Sequence, residues 1–126
     1  MPEQRKHTRF NAPDGALVLA FGGTGKVIDI SKGGISFMFQ DDMNRNTPKA
    51  LSLDLLSTDS FIIASKVPGK LVWEQEVSFS TMSRIVYKRV GVQFRKLSTT
   101  QNDQLDKLIM DYTSESAQNG QRDVLY

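Results

Sequence analysis

Between residues 16 and 94 the apolar residues come in short runs, each closed by glycine, proline or polar residues, and no run has room for more than a strand. Ala16-Leu17-Val18-Leu19-Ala20-Phe21 stops at Gly22-Gly23-Thr24-Gly25, which reads as a hairpin turn. Lys26–Ile30 and Ile35–Phe39 flank Ser31-Lys32-Gly33-Gly34, a spacing that predicts an antiparallel hairpin with Ile35, Phe37 and Phe39 on one face. After a polar loop over 40–49, Leu51-Ser52-Leu53-Asp54-Leu55 alternates as a strand with one wet face does. Phe61–Val67 and Lys70–Val77 read as two more strands broken at Pro68-Gly69, and Arg84–Phe94 closes the set. Six or seven short strands at this spacing predict a small barrel or sandwich.

The period changes after residue 97. Leu105, Leu108, Ile109 and Tyr112 fall at i, i+3, i+4 and i+7, one apolar helix face, with Thr99 or Thr100 placed to cap its start. The expected organisation is one domain over 1–112: a flexible arm over 1–14, a β-barrel over 15–97 and a helix over 99–112. A polar, disordered tail is expected over 113–126. A chain of 126 residues and 14.1 kDa, with 39% hydrophobic residues, supports one modest core. Seven Phe, three Tyr and one Trp add bulk to it.

Cysteine is absent, which excludes a disulfide scaffold, a thiolate zinc site and a cysteine nucleophile. No apolar run reaches the length that spans a bilayer, and the charged start has no apolar stretch behind it that would make a signal peptide. The expectation is a cytoplasmic protein without membrane insertion. Sixteen Lys+Arg against fourteen Asp+Glu leave a net charge of +2, unevenly spread. Arg5, Lys6 and Arg9 lie near the start; Arg84, Lys88, Arg89, Arg95 and Lys96 form a second basic block with no acid among them. This pattern points to an anionic partner of limited size, since a long nucleic acid calls for more positive charge. Solvated surface charge is the alternative for the second block.

Catalytic chemistry finds little support. His7 is the single histidine and sits in the arm, where it reads as a solvated side chain. Asp41-Asp42 and Glu74/Glu76 occupy a polar loop and a strand end. No phosphate-binding loop, dinucleotide fingerprint or metal-spaced cluster occurs. The expectation is a protein that is not an enzyme and carries no metal or cofactor.

Two motifs remain. Arg5-x-x-x-Arg9 places two guanidiniums four residues apart in the arm, each a planar fork suited to phosphate oxygens or to the O6/N7 edge of guanine. Alone the pair is weak, arising by chance in roughly a third of chains this size. Asp29-x-Ser31-x-x-Gly34 crosses the turn of the second hairpin. Asp29 offers an acceptor for guanine N1–H and N2–H, Ser31 a hydroxyl, and Gly33 and Gly34 close backbone approach. A local serine turn that merely stabilises the hairpin is the alternative. Both motifs in this order within about thirty residues are rare by chance.

On these residues the sequence resembles the PilZ domain family, marked by an RxxxR segment before the first strand and a D/NxSxxG segment at a later turn. The likeness continues through Gly34-Ile35-Ser36-Phe37, Gly69-Lys70-Leu71-Val72-Trp73 and Arg89-Val90-Gly91-Val92-Gln93-Phe94, and covers about residues 4 to 112. The resemblance implies a six-stranded antiparallel β-barrel with a C-terminal helix and a bacterial receptor for cyclic di-GMP. It implies that Arg5 and Arg9 hold phosphates and guanine edges, that Asp29 and Ser31 read a guanine, and that Gly33 and Gly34 shape the turn, Gly34 keeping it open for the base. Trp73 stands beside the base or packs in the barrel, and Lys6 adds a phosphate contact or faces solvent. Gln4 stands where some members have a further basic residue, which bears on whether one ligand or an intercalated pair binds. Ligand would order the arm and so create a surface for a protein partner. The rival readings are an interaction adaptor that binds no nucleotide, and a small barrel that binds single-stranded nucleic acid.

Overall fold

The computed structural model describes residues 7–40, 48–77 and 86–124. Seven strands precede one helix: β1 (Phe10–Asn11), β2 (Leu17–Ala20), β3 (Gly23–Ile30), β4 (Gly34–Gln40), β5 (Ala50–Leu56), β6 (Ile62–Val77), β7 (Tyr87–Phe94) and α1 (Thr99–Val124). All pairings are antiparallel. Around the barrel the order is β3-β2-β5-β6-β7-β4, and β4 returns to pair with β3, closing six strands. β1 pairs with the end of β3 that β2 leaves uncovered, through Phe10↔Ile30 and Asn11↔Asp29. The expected six-stranded barrel with a C-terminal helix is therefore present.

Alternation places the core. Val18, Val27, Ile35, Phe37, Leu53, Leu55, Val67, Val90 and Val92 are buried inside the barrel. Leu105, Leu108 and Tyr112 of α1 join the same cluster, with Ile109 partly buried beside them. This is the apolar face expected from the 3.6-residue period.

Four local features differ from the sequence expectation. The first hairpin turns at Phe21-Gly22, both at positive φ (57° and 75°), so Gly23 already begins β3. Phe21 tolerates that backbone where its ring packs on Phe39 and Phe37, with centroids 4.9 and 6.0 Å away. Secondly, Pro68-Gly69 does not end a strand. β6 runs through it and changes neighbour there, pairing with β5 up to Lys70 and with β7 from Gly69 onward. Pro68-Gly69 thus marks a barrel corner.

Thirdly, the arm is anchored earlier than its composition predicts, because β1 already fixes Phe10 and Asn11 against β3. The Ala12 N–H continues the pairing by donating to the Ile28 carbonyl at 2.9 Å. Fourthly, α1 is capped by Ser98, not by either threonine. The Ser98 Oγ accepts the Gln101 N–H at 3.0 Å and the Gln101 Oε1 accepts the Ser98 N–H at 3.1 Å, a reciprocal capping box. The helical backbone continues through the 113–124 stretch that reads as polar tail in the sequence. Among the described residues no helix is long and apolar enough to cross a membrane.

Candidate functional site

The second motif sits where β3 hands over to β4. The Ser31 N–H donates to the Gly34 carbonyl at 2.8 Å, and the Ser31 Oγ accepts the N–H groups of Gly33 (3.1 Å) and Gly34 (3.2 Å). Ser31 is buried, so its hydroxyl is spent on holding the turn, as the local serine-turn reading anticipates. Gly34 has a barrel reason to be glycine: a Cβ there would collide with the carbonyl of Val92 on the adjacent β7. That contact lies on the strand pairing, a cause the sequence could not show beside the open-turn role that the resemblance implies.

Asp29 lies two residues before the turn, after a register shift in β3 between Val27 and Asp29. Its Oδ1 accepts from the hydroxyl of Ser36, its cross-strand partner, at 2.9 Å. The same oxygen accepts from Arg9 Nη1 at 3.1 Å. The β1–β3 pairing sets this up by bringing the residue just ahead of Phe10 to the end of β3. Arg9, Asp29, Ser31, Gly33 and Gly34 are thus gathered at one end of the barrel. Arg5 and Lys6 lie outside the described residues.

An open groove of about 700 Å³ runs past the turn. Arg9 and His7 line it from the arm, and Ser31, Lys32, Gly33 and Gly34 from the turn. Trp73, Gly91, Gln93, Arg95, Lys96 and Asn102 line its remaining walls. Three of these features stand outside the two motifs. His7 lies over the turn, its ring Cδ2 only 2.7 Å from where a Gly33 Cβ would stand. His7 is exposed, as a solvated side chain is, and the arm also places its ring against the motif.

Trp73 is the second. Strict alternation puts Leu71 and Trp73 on one face, but β6 carries a register shift against β7 between them, Leu71 facing Val92 and Trp73 facing Gly91. Val72 is the extra residue, and both Val72 and Trp73 emerge on the surface, 52% and 39% exposed. The indole lies over Gly91, where any Cβ would overlap its Nε1 and Cε2. Trp73 therefore belongs to the groove wall.

The third is the β7–α1 connection. Phe94 N–H donates to the Gly33 carbonyl at 2.9 Å and Arg95 N–H to the Pro68 carbonyl at 2.8 Å, so the segment bearing Arg95 and Lys96 is fixed to the turn and to the barrel corner. Lys32 bridges turn and helix, donating from Nζ to the Asp106 carboxylate and to the Asn102 carbonyl. The rest of the second basic block is not a continuous stripe: Val90 is buried, and Lys88 stands opposite Glu76 in the β6–β7 register. Among the described residues no group of three or more His, Cys, Asp or Glu could hold a metal ion.

The groove offers a flat aromatic surface, backbone edges at a tight turn and cations from three elements. That combination suits a planar, anionic ligand. The comparisons agree with this architecture. The isolated PilZ domain of YcgR from Escherichia coli, solved with c-di-GMP, superposes with a TM-score of 0.70 at 16% identity, covering 94% of this chain and 98% of that one. YcgR from Escherichia coli in complex with c-di-GMP gives 0.66 at 14% identity, over 95% of this chain and 50% of that one. The MrkH–c-di-GMP complex from K. pneumonia gives 0.62 at 16% identity, over 94% and 56%. The chain thus spans about half the length of those two larger proteins. No curated protein matches the sequence significantly. The PilZ domain family model matches residues 3–111, and on that match, with the closed barrel and its terminal helix, the chain belongs to the PilZ domain family.

Proposed function

We propose that this chain is a bacterial, cytoplasmic receptor for cyclic di-GMP that takes its ligand in the groove beside the β3–β4 turn. One observation carries the reading: the Arg9–Asp29 ion pair joins residues of the two motifs 20 positions apart in sequence, beside a groove that Arg9, Ser31, Gly33 and Gly34 line. Structural neighbours solved with c-di-GMP support it. In this reading Arg5 and Arg9 grip phosphates and guanine edges, and Asp29, Ser31 and the Gly33–Gly34 backbone read one guanine. Trp73 stacks beside the base and Lys6 adds charge.

In this reading the groove serves binding: the Ser31 hydroxyl that lines it is engaged by the N–H groups of the turn. Ligand orders the residues ahead of Phe10, which then present a surface to a protein partner. Ordering costs about 1–2 kcal/mol per backbone residue. Because β1 already holds Phe10 and Asn11, that cost falls only on the residues before them. Charge-assisted contacts of roughly 1.5–3 kcal/mol each offset it.

The test is calorimetric titration with cyclic di-GMP of the wild type and of Arg9→Ala. Wild-type binding weakened by about tenfold or more in the variant is expected; absence of wild-type binding overturns the reading. Hydrogen exchange of residues 2–9 checks the arm, and equal exchange with and without ligand rejects its ordering. A second reading, the adaptor that binds no nucleotide, is favoured by the Ser31 hydroxyl and Asp29 Oδ1 being engaged within the motif itself. The same titration separates the two.

A further inference from the structure

An anionic ligand needs cations that are not already neutralised, and the groove's cations differ sharply in this respect. Arg9 is paired with Asp29. Lys32 is paired with Asp106 and also donates to the Asn102 carbonyl. Arg95 and Lys96 are exposed, line the same groove, and have no carboxylate partner among the described residues. Their backbone is not loose: the Phe94 and Arg95 N–H groups are bonded to Gly33 and Pro68, and Leu97 packs against the core. Helix α1 begins two residues after Leu97 with no acidic residue in its first turn, so its positive dipole end adds to the same wall.

We propose that Arg95 and Lys96 form a second anion subsite, on the β7–α1 wall and separate from the arm motif, which takes a phosphodiester group of the ligand. A guanidinium fork beside an ammonium, on a backbone fixed to the motif turn, meets phosphate oxygens without first breaking an ion pair. A ligand with two phosphates is then held at two places, by the arm at one and by this rigid wall at the other. The identity of that ligand rests on the receptor reading above; the subsite itself does not.

The test compares the wild type, R95Q/K96Q, and K49Q/K70Q, which removes two exposed cations outside the groove for the same change in net charge. Matching thermal melts show that all three are folded. In titration with cyclic di-GMP, R95Q/K96Q is expected to bind about tenfold or more weakly at unchanged stoichiometry, and K49Q/K70Q within about twofold of wild type. In parallel, inorganic phosphate is titrated by heteronuclear NMR. Shifts at the amides of residues 95–97 are expected in wild type and in Arg9→Ala, and not in R95Q/K96Q.

If the wild type takes no cyclic di-GMP yet phosphate still shifts these amides, the receptor reading falls and the subsite stands. If the nucleotide binds but R95Q/K96Q and K49Q/K70Q bind it equally well, the subsite is overturned and the receptor reading stands. If neither the nucleotide affinity nor the phosphate shifts respond to Arg95 and Lys96, the subsite is likewise overturned.

Discussion

At Ser31 a single hydroxyl oxygen satisfies two backbone donors, the N–H groups of Gly33 and Gly34. Ser31→Ala strands both in a half-buried turn, and a loss of about 1–3 kcal/mol is expected in urea denaturation. Gly34→Ala drives a methyl into the Val92 carbonyl across the β4–β7 pair and is expected to cost about 1–3 kcal/mol in the same measurement. Gly91→Ala displaces the indole of Trp73 instead, so its expected signature is weakened ligand affinity by titration with a smaller change in stability. That Asp29, Ser31 and Gly34 share one hairpin turn was legible from their types and spacing. The placement of Trp73 was not, because a bulge adds one residue without disturbing composition, and alternation then assigns every later side chain to the wrong face.

The helix shows what periodicity conveys and what it leaves out. Leu105, Leu108 and Tyr112 were marked by spacing alone and are buried as that spacing requires. Their spacing could not show that the Tyr112 hydroxyl donates to the Leu56 carbonyl at 2.9 Å, or that Asp111 accepts the Thr58 N–H and so ties the β5–β6 turn to α1. Burial, and secondarily the neighbouring Asp111 charge, raises the Tyr112 phenol well above its ordinary pKa. The sign follows from linkage. The folded state holds this proton more tightly than the unfolded state, so its stability is intact below about pH 10 and declines as pH rises beyond it. Tyr112→Phe is expected to lose about 0.5–1.5 kcal/mol at neutral pH and to show a shallower alkaline decline, both read from denaturation midpoints. Strand β6 makes the complementary point. A Pro-Gly pair ordinarily signals a turn, yet here it lies where one strand exchanges neighbours, and only the closure of the barrel distinguishes the two.

Across the whole molecule, closure rests on pairings between distant segments, β2 with β5 and β4 with β7, which no local pattern announces. The six-stranded barrel was legible; the short β1, the continuity of β6 through Pro68-Gly69 and the strand order came only with the structure. Such non-local closure predicts refolding over milliseconds to seconds rather than microseconds, measurable by stopped flow. Charge acts at this scale too. The net charge is only +2, but the groove gathers Arg9, Lys32, Arg95 and Lys96 from the arm, the turn and the β7–α1 connection. Ligand affinity is therefore expected to fall as salt rises from about 0.01 to about 1 M, over which the Debye length shrinks from about 30 to about 3 Å. An affinity flat across that range would speak against charge as the attraction.

Trp73 is the chain's single tryptophan, and it lies against Gly91 on the wall of the groove, 39% exposed. Every photon of indole emission from this protein thus originates beside the site. A purine stacked on that ring, or an arm folded across it, alters the intensity and colour of the emission with no second indole to dilute the change. The molecule carries its own occupancy gauge, and groove filling can be followed label-free, in real time and at concentrations too low for heat to register.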